Sequence, residues 1–290
     1  MEYASRGFLV AGSAIFAIPA VAHCPRTDWG LATAEPLPLC EAARFSSRVY
    51  YKSCYNRIGI RIVAPVELRR AREARGRTQQ QVADKLGVSQ AYWALLESGK
   101  RELTTRLAER VVILLNLPPT RLPVDRDALS AANSPSLAGQ LGALGYPGFA
   151  YMRRRRKRNP AAVLVSALLS NDLEPRIVEA LPWLVLQYTD VDWEWVLTEV
   201  KLRDLQNRLG FVVGLAHELA AARKDAGEAG AVLSRVTARL ERARLAREDT
   251  LCQENLSAAE RAWLRKTRPA AAAHWNLLSD LRPEALPYAA

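Results

Sequence analysis

The sequence predicts an all-α chain: a small helical domain over residues 65–120 and a second all-helical domain over 160–290. Three observations point there. Apolar residues recur every three or four positions through both stretches. Two short helical segments meet at the glycine turn Leu86-Gly87-Val88. Between the two stretches, residues 121–159 are rich in Pro, Ser, Gly and Ala and end in a run of cations.

Charge narrows the function classes. The 290 residues carry a net charge of +11, and the excess is local. Residues 65–117 hold 10 Lys/Arg against 6 Asp/Glu, and Arg153 to Arg158 is an unbroken run of six cations, whereas residues 161–290 are slightly acidic. Focused positive charge favours a polyanion such as DNA. A generally Arg-rich composition is the competing explanation.

Residues 1–64 begin with a small, apolar run from Gly7 to Ala22 that turns polar at His23. Ala20-Val21-Ala22 has the form of a signal cleavage site, and the run is short for a membrane span. Three readings fit: a start codon assigned too far upstream, an irregular extension of a cytosolic protein, or a secretory signal. The first is preferred, with Val63 as one alternative start. Cys24, Cys40, Cys54 and Cys252 form no Cys-x-x-Cys pair and read as free thiols.

In the small domain, Pro65 suits a first helical turn, and a helix to about Arg75 turns Val66, Leu68 and Ala71 inward and Arg69, Arg70 and Arg72 outward. Gly76 ends it. Thr78 caps a second helix, with Gln81 at the capping-box position and Val82, Ala83 and Leu86 as its buried stripe. Gly87 supplies the positive φ of the tight turn. Ser89 caps a third helix, Gln90 to Glu97, whose Trp93 and Leu96 face the core. Gln90, Ala91, Ala94, Tyr92 and Leu95 are thereby turned outward. After Gly99 and the cations Lys100 and Arg101, a fourth helix runs from Thr104 to Leu115, and Pro118-Pro119 closes the domain.

The residues Thr78-Gln79, Val82-Ala83, Leu86-Gly87-Val88-Ser89, Glu97, Gly99 and the leucines of the fourth helix together resemble the lambda-repressor/Cro-like (Xre-type) helix–turn–helix regulators. The resemblance covers about a fifth of the chain. It implies that the third helix lies in the DNA major groove. Gln90 then presents its amide to an adenine. The resemblance implies that Gln79 braces it and touches a phosphate, and Ser89, Lys100 and Arg101 are placed for backbone contacts. Ala91, Ala94 or Leu95 would meet a thymine methyl, and Tyr92 a phosphate or a base. A merely solvated Gln90 and merely solubilising Lys100 and Arg101 are the plain alternatives. Trp93 departs from the family's Ile or Val.

Residues 121–159 read as an interdomain linker with a short helix near Ala138 to Leu144. Arg153, Arg154, Arg155 and Arg156, with Lys157 and Arg158, suit a phosphate backbone or an acidic partner; a solvated arm is the alternative.

From Pro160 the pattern is helical: one helix at Val163–Leu168, a second opening at Pro175 and kinked or split at Pro182, and a long third from Trp193 to Leu219. A charged helix over Ala231–Glu248 and a helical tail over Ser257–Leu281 follow. Gly210 and Gly214 suggest close approach of another helix. His217 and His274 stand alone, and no nucleophile–base pair, metal cluster or phosphate loop occurs. No enzyme activity, metal or cofactor is expected. The stretches LEPRIVEALPWLVLQY (173–188) and KLRDLQNRLGFVVGLA (201–216) are loosely similar to C-terminal regions of antitoxins from abortive-infection systems. That similarity implies a toxin as partner. The sequence therefore points to a cytoplasmic, homodimeric, sequence-specific regulator of double-stranded DNA. It is read as a repressor or autoregulating antitoxin that needs no membrane. The alternative is an interaction protein whose helical domain does the main work.

Overall fold

Two hydrophobic cores, joined by a short connector, organise the computed structural model. It describes residues 63–124, 129–152, 156–222 and 227–288. All of these lie in one unit, Ala43–Ala290. The reading of residues 1–64 as signal or extension falls outside the described residues except for Ala64 and Val63, which is buried in the smaller core.

The smaller core is made by α1 (Pro65–Glu73), α2 (Gln79–Leu86), α3 (Gln90–Glu97) and α4 (Thr105–Leu114). Local chemistry sets each boundary. The Thr78 hydroxyl accepts from the Gln81 N–H at 3.2 Å while Gln81 Oε1 accepts from the Thr78 N–H at 2.9 Å, so two end amides are satisfied at once. Gly87 ends α2 at φ +65, a conformation that costs a side-chain-bearing residue about 1–2 kcal/mol. The Ser89 hydroxyl accepts from the Tyr92 N–H at 3.1 Å and starts α3. Leu68, Val82, Leu86, Trp93, Leu96, Val111 and Leu115 fill the space between the helices.

The larger core contains α5 (Ser134–Leu144), α6 (Pro160–Leu168), α7 (Pro175–Gln187), α8 (Trp193–Lys201), α9 (Gln206–Ala222) and α10 (Gly227–Glu241). The shorter α11 (Ala258–Thr267) and α12 (Ala270–His274) follow. Two-residue strands, β1 (Asp249–Thr250) and β2 (Leu277–Leu278), pair in parallel. Every residue of α6 is buried, so α6 is the centre of this domain. No helix among the described residues is long and apolar enough to cross a membrane.

Three expectations are corrected. The linker expected over 121–159 holds the expected short helix, but that helix, α5, starts earlier, at Ser134, and is part of the core: every residue from Leu137 to Leu144 is buried. Its small residues serve contact, not flexibility, since a Cβ on Gly142 would lie 2.4 Å from the Phe149 carbonyl oxygen. The long helix expected from Trp193 breaks between α8 and α9, where Asp204 takes φ +56 and Leu205 turns into the core. Of the expected glycine pair, only Gly210 meets a neighbour; a Cβ there would come within 2.5 Å of the Trp275 ring, while Gly214 faces open space.

Pro182 neither splits nor ends α7. The N–H of Trp183 donates to the Tyr288 hydroxyl at 3.1 Å, and that hydroxyl donates in turn to the Glu179 carbonyl. A phenol from the far end of the chain thus bridges the helical hydrogen bond opened beside the proline. Elsewhere, buried Arg208 joins the start of α9 to Asp249 at 2.8 and 2.9 Å and to the Leu168 carbonyl at 2.9 Å. Cys252 lies buried beside it, its thiol pushed up to about 12 by burial, which leaves it unreactive.

The two glycines of α9 separate packing from propensity. Gly210→Ala is expected to cost about 1–3 kcal/mol by forcing the Trp275 ring aside. Gly214→Ala is expected to be neutral or to gain up to about 1 kcal/mol from helix propensity. Urea unfolding of the two variants measures both; equal effects would remove the argument for a close contact at Gly210.

Candidate nucleic-acid interface

Polar groups from α1, α2 and α3 converge on one buried carboxylate. Glu97, at the end of α3, is 4 % exposed. Arg72 of α1 donates Nε to Oε1 at 2.6 Å and Nη2 to Oε2 at 3.1 Å. Gln79, the first residue of α2, donates Nε2 to Oε2 at 2.9 Å. Trp93, one turn earlier in α3, donates its indole N–H to Oε1 at 2.7 Å. Each oxygen accepts two hydrogen bonds, which fills the carboxylate's capacity. Burial pushes the Glu97 carboxyl up, but the hydrogen bonds from Arg72, Gln79 and Trp93 and the Arg72 charge outweigh it and hold the group below the usual carboxylate range.

The network reaches the surface through Gln79. Its Oε1 accepts from Gln90 Nε2 at 2.9 Å. Gln90 is the exposed first residue of α3, so a relay runs from the buried Glu97 to an exposed amide. Holding that amide in one orientation before contact removes part of the entropy cost of binding. A braced glutamine still offers one N–H and its Oε1, the pair that matches N7 and N6–H of adenine.

The other expected positions divide. Ser89 and Ala91 are exposed, while Tyr92 and Ala94 are half-buried. Lys100 and Arg101 are exposed, and both their N–H groups donate to the Leu95 carbonyl, which tightens the turn after α3. The Arg101 guanidinium lies 5.8 Å from the centre of the Tyr92 ring, a cation–π distance that joins the two side chains. Arg153, Arg154 and Arg155 lie outside the described residues. Arg156 pairs with Glu109 of α4, so its partner is not on α3.

Sequence reasoning missed the role of Arg72, expected to face outward: its side chain is 11 % exposed and committed to Glu97. It also treated Trp93 as a packing change only. The readable signal was a Trp four residues before a Glu in one helix, a spacing that lets the indole N–H reach the carboxylate.

Residues 66–124 match a family model described as a helix-turn-helix domain, which makes this a DNA-binding segment of that type. No curated protein and no solved structure matches the chain.

A carboxyl held below its unfolded value stabilises the fold above the unfolded pKa, and that contribution is lost as pH falls through the folded one. Glu97→Gln is expected to cost about 1–3 kcal/mol near pH 7 by removing the buried charge partner of Arg72, which keeps only the exposed Glu73 at 3.2 Å. The cost should shrink below about pH 4. Urea midpoints of the two proteins at pH 7 and in acid test this; a difference independent of pH would show that the charge of Glu97 is immaterial.

Proposed function

We propose that the chain is a dimeric, sequence-specific transcriptional repressor of the Xre-type helix–turn–helix class, acting in the cytoplasm. One observation carries this reading: the exposed Gln90 amide is held by Gln79, which is itself tied to buried Glu97. A glutamine serving only solubility has no need of such bracing. In this reading α3 enters the major groove and Gln90 reads an adenine. Ser89, Lys100 and Arg101 meet phosphates and fix the register.

The connector supports a reader of fixed posture. The Asn159 amide donates to the Thr120 and Leu122 carbonyls at 3.0 and 2.6 Å. Thr120 donates to Asp190 at 2.7 Å, and Arg121 donates to Glu67 at 2.8 Å. These bonds join α1 and the end of the small domain to the larger one. A dimer formed through the larger domain would therefore set the spacing of two reading helices, with half-sites about 10 base pairs apart.

Genome-wide mapping of bound sites tests the proposal, with paired half-sites upstream of a repressed gene as the expected result. At such a site Gln90→Ala is expected to lose about 1–3 kcal/mol of affinity, with no change on unrelated DNA. An equal loss on both would overturn the base-reading role.

A further inference from the structure

The outward face of α3 carries an apolar edge as well as the braced amide. Gln90, Ala91 and Leu95 are exposed, Tyr92 and Ala94 are half-buried, and Trp93, Leu96 and Glu97 are buried. At about 100° per residue the three exposed side chains share one arc of roughly 140°, so a single surface can meet them all. Leu95 is 40 % exposed, the one large apolar side chain of α3 left so open.

An exposed leucine alone says little. The surroundings of Leu95 say more. Its carbonyl accepts from the N–H groups of Lys100 and Arg101 at 3.0 and 3.2 Å and from the Ser98 hydroxyl at 3.1 Å. The backbone of Leu95 is thereby tied to the turn that carries both cations. Tyr92, three residues earlier and so on the same side of the helix, lies 5.8 Å from the Arg101 guanidinium. Around the helix, Leu95 stands between the Gln90 amide and the side that holds Arg101.

The side chains that α3 lacks narrow what it can recognise. In the major groove a guanine edge is met by arginine or lysine, and a cytosine amine by a carboxylate. Between Gln90 and Glu97 there is no cation, and the one carboxylate, Glu97, is buried with both oxygens filled. The Ser98 hydroxyl is committed to the Leu95 carbonyl. What remains is one amide and an apolar edge. In the major groove the apolar mark that sets one base apart is the C5-methyl group of thymine. Ala91 offers a single methyl and Ala94 is half-buried, whereas Leu95 combines exposure with length.

We propose that Leu95 is a second specificity-determining residue of α3, packing on the C5-methyl group of a thymine, and that the base pairs facing α3 in each half-site are A·T. This rests on the DNA-reading role proposed for α3 and deepens it by naming the base pairs and the group that is read. Because that group is a methyl, the protein discriminates against uracil, which pairs as thymine does and lacks it.

The test uses the full chain and a duplex that it selects in vitro from a randomised pool. The duplex is remade with uracil in place of thymine, one position at a time. At one or more thymines of the half-site, uracil is expected to weaken binding about fourfold, the contribution of one buried methyl. Leu95→Ala should weaken binding to the thymine duplex about fourfold or more and make that position indifferent to uracil. Leu95→Met, which keeps an apolar contact of similar volume, should retain the discrimination. Thermal melts of both variants establish that they fold. Uracil tolerated at every position overturns the inference, and so does a loss that persists unchanged in Leu95→Ala, or a selected half-site without thymine. Sequence-specific binding indifferent to the methyl leaves the DNA-reading role of α3 standing and overturns this inference alone; binding that selects no sequence overturns both.

Discussion

The buried carboxylate of Glu97 is the constraint on which the helix–turn–helix domain depends. An ionised carboxylate in a core is costly unless its acceptor sites are filled. Here the donors come from α1, α2 and α3, so three helices must meet in one geometry before the charge is tolerable. An apolar side chain at position 97 would pack as well and specify less. What the carboxylate adds is direction: it fixes Gln79, and Gln79 fixes Gln90. Trp93 then takes on a second meaning, because a branched aliphatic residue in its place could fill volume but could not donate to Glu97.

Much of the small domain was legible because its boundaries are chemical. Thr78, Gln81, Gly87 and Ser89 each do one local job that neighbours in sequence suffice to define. The relay behind Gln90 was only half legible. Gln79 and Glu97 stood out as individual residues, whereas Arg72 is 25 positions from its partner and looks like any exposed helical cation. Long-range pairing of polar groups leaves no periodic trace.

The larger domain was less legible for a different reason. Its apolar residues are so dense that periodicity alone cannot place a break, and the turn at Asp204 contains neither glycine nor proline. Conversely, α5 is rich in Gly, Ala and Ser and reads as a linker, although Gly142 is small because the Phe149 carbonyl and Met152 lie against it. The same composition serves a flexible coil and a close-packed helix; only the partner decides which. As a result the connector shrinks from some forty expected residues to the few around Leu122 and Val124, where the two cores meet.

The Tyr288 hydroxyl, seated beside Pro182, has a consequence for the order in which the protein is made. The smaller domain has its own core, complete by residue 122, so it can close while the ribosome is still translating. The larger domain cannot complete α7 until residue 288 has cleared the exit tunnel. At ordinary elongation rates the interval is on the order of ten seconds, long compared with the folding of a small helical domain. During that interval each nascent chain carries a closed helix–turn–helix domain on an unfinished body, tethered to the messenger that encodes it.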